Sequence, residues 1–150
     1  MFIPIILGSE SDKPFAEKIT KYFEGIDLDY EIIVASAHKV PEKVFNIVQE
    51  FNKRDDIACY ITIAGRSNGL SGVTAANSIH PVIACPPYKD KDDMAVNINS
   101  TLQMPSDTPV LTVVDPQNAA MAVLRIVALC DANIKSFVEE RIQKIKESFA

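Results

Sequence analysis

Short apolar runs alternate with longer stretches of helical periodicity from one end of this 150-residue chain to the other. The runs are Phe2–Leu7, Tyr30–Ala35, Ala58–Ala64, Pro81–Ala84 and Val110–Val114. Each has strand length, and Ala58–Ala64 is apolar enough to lie centrally in a sheet. Asp12 before Pro14 pairs a cap with a first-turn proline, predicting a helix to about Glu24. Phe15, Ile19, Tyr22 and Phe23 keep helical spacing within it. A second helix runs from Pro41 to about Asn52, with Val44, Ile47, Val48 and Phe51 on one face. Leu70–Ser78 reads as a short helix, Tyr88–Asp93 as a charged surface loop, and Met94–Leu102 as helical. Asp115-Pro116 opens a helix through about Leu129, and Asp131 or Asn133 caps a last one ending at Phe149. Strand–helix alternation of this kind predicts an α/β fold, a three-layer α/β/α sandwich with a central parallel sheet. The sandwich is flavodoxin- or Rossmann-like, with an extra C-terminal helix. That helix carries an apolar stripe of Ile134, Phe137, Val138, Ile142 and Ile145. The stripe covers either its own sheet or a neighbouring subunit.

A chain of this length supports one domain with one sizeable core, and residues 1–150 are read as that domain. The net charge of −5 argues against a general nucleic-acid binder, although a local phosphate site needs only backbone donors and one or two cations. No apolar run reaches membrane-spanning length, and Met1-Phe2-Ile3-Pro4 enters the first strand directly, so neither a membrane segment nor a signal peptide is expected. Cys59, Cys85 and Cys130 are odd in number and widely spaced, as reduced thiols in a cytoplasmic protein would be.

In an open α/β sheet, ligands bind beyond the carboxyl ends of the strands. Three such ends carry chemistry. Gly8-Ser9-Glu10-Ser11-Asp12 joins the first strand to the first helix, where free N–H groups, a positive dipole and two hydroxyls suit a phosphate ester. Asp12 can cap the helix, accept from a ribose diol, or do both. An ordinary capped turn has the same composition. Ser36-Ala37-His38-Lys39 follows the second strand, setting an imidazole between a hydroxyl and a cation. That set can bind an anion and move a proton. The third end, Ala64-Gly65-Arg66-Ser67-Asn68-Gly69, lets backbone approach a flat ligand, with Arg66 and Asn68 as donors to oxyanions or ring heteroatoms. Arg66 in a structural ion pair is the plainer alternative. After the fourth strand, Pro86-Pro87 makes a rigid turn in which one bond is a candidate for the cis form. His80 falls at the opposite end of the sheet and receives no catalytic role.

Several chemistries lack their residues. There is no Walker sequence, no histidine–carboxylate cluster with metal-ligand spacing and no GxSxG elbow.

Together, Gly8–Asp12, Ser36–Lys39, Ala64–Leu70, Ala84-Cys85-Pro86-Pro87, Ser100–Pro105 and Pro116–Ala120 resemble the phosphoribosylaminoimidazole carboxylases of purine biosynthesis, the PurE family. The resemblance covers nearly the whole chain. Lys39 after His38, and Gly65-Arg66-Ser67-Asn68-Gly69-Leu70 without a histidine, are similar to the branch that uses carbon dioxide directly. The other branch, a mutase, usually has arginine after the histidine and a histidine in the third loop.

The resemblance implies reversible carboxylation of 5-aminoimidazole ribonucleotide to 4-carboxy-5-aminoimidazole ribonucleotide. It implies no cofactor: no ATP, biotin or metal. His38 would be the base, and the acid in reverse. Ser9, Ser11, Ser36 and Lys39, beside Gly8, would hold phosphate, and Asp12 the ribose. Gly65, Arg66, Ser67, Asn68, Gly69 and Leu70 would frame the ring and its carboxylate. A homo-tetramer or homo-octamer is implied, with no nucleic acid or membrane partner. Asp107 stands where relatives usually have glycine after Met-Pro-Ser. Two rival readings are the mutase of the same family and a non-catalytic nucleotide- or flavin-binding module of flavodoxin type.

Overall fold

The computed structural model describes residues 1–150. Its strands are β1 (Phe2–Leu7), β2 (Asp29–Val34), β3 (Tyr60–Ile63), β4 (Val82–Ala84) and β5 (Leu111–Thr112). They form one sheet in the order β2-β1-β3-β4-β5, with every pairing parallel. This is the flavodoxin-like doubly wound order, and its direction of growth reverses between β1 and β3. The helices are α1 (Lys13–Thr20), α2 (Pro41–Phe51), α3 (Gly69–Asn77), α4 (Lys91–Leu102), α5 (Pro116–Val127) and α6 (Ala132–Glu147).

Alternation along the central strands splits the core into two layers. Ile3, Ile5 and Leu7 of β1 join Ile61 and Ile63 of β3 beneath α1, α5 and α6. Ile6 and Tyr60 face the other way, against Val44 and Val48 of α2 and Leu70 of α3. Each such aliphatic side chain contributes roughly 1.5–3 kcal/mol relative to exposure.

Element boundaries differ from the expected ones where an acidic side chain can serve more than one purpose. Asp12 is not the first cap: its backbone is already helical and its side chain makes no capping bond. Ser9, with extended backbone, caps a 3₁₀ turn over Glu10–Asp12 that runs into α1, its Oγ accepting from the Ser11 N–H at 3.3 Å. The Tyr88–Asp93 segment is not all loop. Asp90 accepts from the N–H groups of Asp92 (3.0 Å) and Asp93 (2.9 Å), starting α4 at Lys91. Aspartates in a first turn complement the helix dipole, which is why a charged stretch begins a helix here. β5 is only two residues long, although Val113 still donates to Ala84 at 2.9 Å. All peptide bonds are trans, those of Pro86 and Pro87 included.

Asp131 caps α6, accepting from Asn133 and Ile134. Ile134 and Val138 are buried in the β1 core layer, with Phe137 and Ile142 packed against it. The stripe therefore covers the chain's own α5 side, while Ile145 remains half exposed. No helix is long and apolar enough to cross a membrane.

Candidate active site

The reversal between β1 and β3 opens a crevice where the two strands end. A Cβ on Gly8 would lie 3.2 Å from the Cβ of Ala64, so the turn after β1 lies against the loop after β3. With the loops after β2 and β4 they enclose a cavity of about 600 Å³. Gly8, Ser9, Ser11 and Asp12 line it from the first loop, and Ser36, His38 and Lys39 from the second. The third loop contributes Gly65, Arg66, Ser67, Gly69 and Leu70. Twelve of the thirteen residues picked from sequence thus share one cavity wall.

Asn68 is the exception. Its side chain is buried and turned inward, because it caps α3: Oδ1 accepts from the Ser71 N–H at 3.1 Å. Its Nδ2 donates to Ser71 Oγ (2.8 Å) and Thr101 Oγ1 (3.0 Å). Its own N–H donates to Ser100 Oγ at 2.8 Å. Asn68 ties the third loop to α4 and offers no free donor to a ligand.

His38 is exposed, and its ring lies on the Gly69 backbone. A Cβ on Gly69 would approach Nε2 to 2.9 Å and Cε1 to 3.0 Å, closer than real Cβ contacts come. Glycine is required there so that the imidazole can occupy its position. Two residues earlier in this loop, Ser67 has φ 52°. A non-glycine residue in the left-handed region stores strain and is held by surrounding bonds, here those of Asn68 and the Gly69 N–H to Ser67 carbonyl at 2.8 Å.

The charges divide by region. Ser9 and Ser11 hydroxyls bond each other at 2.8 Å beside the helix start. Lys39 belongs to none of the side-chain ion pairs, so its ammonium is available to an anion. Burial raises the Asp12 carboxyl above its ordinary value, partly offset by a backbone hydrogen bond at Ser9. Arg66 instead pairs with Asp93 at 3.4 Å across the cavity mouth. Asp93 also accepts from the Lys89 N–H at 3.0 Å, and this bond, with smaller help from Arg66 and Asn97, holds its carboxyl below the usual range.

Sequence reasoning missed the fourth loop and the start of α4. Pro87, Tyr88, Lys89, Asp93 and Asn97 also line the cavity, with Ala37 and Ala64. The signal available was Pro86-Pro87 at a strand's carboxyl end, the same position that marked the other three loops. Cys85 beside it is buried, and its thiol is pushed up to about 12, as a small hydrophobe and not a nucleophile. His80 packs on Tyr60 with ring centroids 6.3 Å apart, away from the cavity lining. No group of three or more His, Cys, Asp or Glu side chains is placed to hold a metal ion.

A family model described as AIR carboxylase matches residues 2–148. A phosphoribosylaminoimidazole carboxylase of Archaeoglobus fulgidus is 44% identical over 134 residues, covering 89% of this chain and 73% of that protein. An N5-carboxyaminoimidazole ribonucleotide mutase of Methanocaldococcus jannaschii is 41% identical over 151 residues, covering 99% and 93%. The crystal structure of Treponema denticola PurE superposes with a TM-score of 0.87 at 41% identity, covering 97% of this chain and 94% of that one.

Proposed function

This chain belongs to the AIR carboxylase family, and on that premise we propose that it carboxylates 5-aminoimidazole ribonucleotide with carbon dioxide, reversibly, as one domain spanning residues 1–150. The aminoimidazole is an electron-rich, enamine-like ring. Its C4 attacks the carbon of carbon dioxide, a carbon–carbon bond forms, and C4 then carries both the new carboxylate and its original hydrogen. His38 takes that proton, and the electron pair of the C–H bond restores the aromatic ring. In reverse, His38 returns the proton to C4 and carbon dioxide leaves. ATP, biotin and metal take no part.

Support for His38 comes from its ring lodged on Gly69 within the cavity, the observation that carries the reading. Ser9, Ser11, Ser36 and Lys39 receive the phosphate, Asp12 the ribose. Gly65, Arg66, Ser67, Gly69 and Leu70 frame the ring, and Arg66 meets the carboxylate as charge develops. The protein is a cytoplasmic homo-tetramer or homo-octamer, so light scattering should give four or eight times 16.5 kDa. A monomeric mass would refute that assembly.

One relative of comparable identity carries the mutase name, which keeps a second reading in play: transfer of the carboxyl group from the exocyclic amine to C4. Lys39 and the Arg66-Ser67-Asn68 sequence favour the carboxylase. The experiment supplies aminoimidazole ribonucleotide with varied dissolved carbon dioxide and, separately, the preformed carbamate. Product should rise with carbon dioxide. Conversion of the carbamate faster than it releases carbon dioxide would make the chain a mutase.

A further inference from the structure

Arg66 has two anions to serve. Its Nη2 lies 3.4 Å from Asp93 Oδ1, and its side chain makes no other hydrogen bond or ion pair. That separation is long for a charge-assisted bond, which closes to about 2.7–2.9 Å at full strength. The two partners are held unequally. The Arg66 side chain is 79% exposed, whereas that of Asp93 is only 16% exposed. Asp93 Oδ2 accepts from the Lys89 N–H at 3.0 Å, and the Asn97 side chain adds a further hydrogen bond. The carboxylate also lies in the first turn of α4, where the helix dipole favours an anion. Asp93 therefore keeps its charge and its place, and Arg66 is the member free to move.

Both residues line the cavity, at the third loop and the start of α4. A ligand carboxylate that bonds Arg66 must do so beside the Asp93 carboxylate or in its place. Sharing the guanidinium sets two like charges side by side, which disfavours both. Displacing Asp93 breaks the existing pair. Such an exposed pair is weak, so a ligand carboxylate can displace it, but the displacement still lowers affinity. A ligand that is neutral at this end of the cavity leaves the pair as it stands.

We propose that Asp93 is a specificity-determining residue that competes with the ligand carboxylate for Arg66, and so weakens binding of carboxylated ribonucleotides relative to uncarboxylated ones. This rests on the carboxylase reading of the same cavity, in which Arg66 meets the new carboxylate. The aminoimidazole ring and carbon dioxide are both neutral, so they enter with the pair intact. Carboxylation creates the anion that draws Arg66 away from Asp93. Return of Arg66 to Asp93 then favours release of the product. A preformed carbamate is an anion on entry and meets the same competition, so the pair disfavours it as a substrate.

The test uses two ligands on the full-length protein: imidazole ribonucleotide and its 4-carboxylate. Neither ring carries the exocyclic amine, so neither reacts, and the two differ only in the carboxylate. Calorimetry measures both for wild type, Asp93→Asn, Asp93→Ser, Arg66→Met and the double variant Asp93→Asn with Arg66→Met. Asp93→Asn and Asp93→Ser should each bind the 4-carboxylate about two- to fivefold more tightly than wild type, the range for an exposed ion pair. Their affinity for imidazole ribonucleotide should stay at the wild-type value. Arg66→Met should weaken the 4-carboxylate alone, and adding Asp93→Asn to it should bring no tightening, the signature of two residues acting through one contact. An unchanged ratio of the two affinities in the Asp93 variants overturns the inference, as does equal tightening of both ligands or a failure of both variants to fold. The same tightening in the Arg66→Met background also overturns it, because Asp93 would then act by repulsion and not through Arg66. If wild type binds neither ribonucleotide, the carboxylase reading itself has failed, and the inference falls with it.

Discussion

Replacing His38 with Asn keeps the approximate shape of the side chain and removes the only imidazole in the cavity. Loss of a general acid–base group lowers rate by about 100- to 10,000-fold. On the proposed reading, ribonucleotide affinity should hold, because phosphate and ribose are assigned to Ser9, Ser11, Ser36, Lys39 and Asp12. Near wild-type turnover in His38→Asn would remove the residue from the mechanism. Gly69→Ala approaches the same site from the backbone. The added methyl would stand 2.9 Å from Nε2, so the ring must shift. A displacement near 1 Å reduces rate by about 100-fold when geometry controls the reaction. The expected signature is a fall in kcat with the protein still folded by circular dichroism. Unchanged kcat would mean that the imidazole reorients without consequence. Neither the closeness of Gly69 to His38 nor the inward turn of Asn68 could be read from sequence. The first depends on two loops some thirty positions apart facing each other, the second on Asn68 capping α3 while Ser100 and Thr101 of α4 close over it.

At the scale of elements, the strands were legible because β1 and β3 are buried on both faces and so form near-continuous apolar runs, interrupted in β3 only by Thr62. Helix starts were less so. Ser9, Asp12 and Asp90 all have capping chemistry, and only the backbone conformation decides which one is used. The β4–α4 connection suffered most from this: the aspartates that open α4 read as a solvated loop, and two of its cavity residues, Asp93 and Asn97, were overlooked. The loop after α4 gives a more favourable case. Asp107, which the family resemblance sets against an expected glycine, has φ 59°. That is the left-handed region, which glycine enters freely and which aspartate tolerates better than most residues. The departure therefore preserves the loop's backbone. Asp107→Gly should leave stability within about 1 kcal/mol of wild type, since lost strain and greater unfolded-state entropy oppose each other. Asp107→Val should lose about 1–2 kcal/mol, because a β-branched side chain is strained there. Urea midpoints measure both, and a valine variant as stable as wild type would show that the loop relaxes to another conformation.

Across the whole molecule, the topology puts opposite tasks at the two ends of one sheet. The carboxyl ends carry hydroxyls, charges and a cavity; the amino ends are closed by packing. Strand–helix alternation was enough to predict this polarity, but not the strand order that sets β1 beside β3. His80 sits at the closed end, where Tyr60 meets it and Ser78 Oγ accepts its N–H at 2.9 Å. Its Nε2 is buried without a partner. Burial lowers the imidazole pKa below its ordinary value near 6.5, partly offset by a backbone hydrogen bond at Phe51. The sign follows from linkage. In the unfolded chain His80 takes a proton as pH falls below about 6.5, whereas the folded protein resists it. Stability from this residue is therefore complete above that pH and is lost as pH falls from there toward the depressed folded value. Asp56 and Asp93, whose carboxyls are held low, lose their contributions only below about pH 4. The two effects thus occupy separate windows. Melting temperature measured at pH 7.5 and 5.5 should fall for wild type. In His80→Phe, which keeps a ring against Tyr60 but cannot titrate, the fall should be smaller. Equal slopes in the two proteins would place the neutral-range acid sensitivity elsewhere, and would mean that His80 is protonated as readily in the fold as in the open chain.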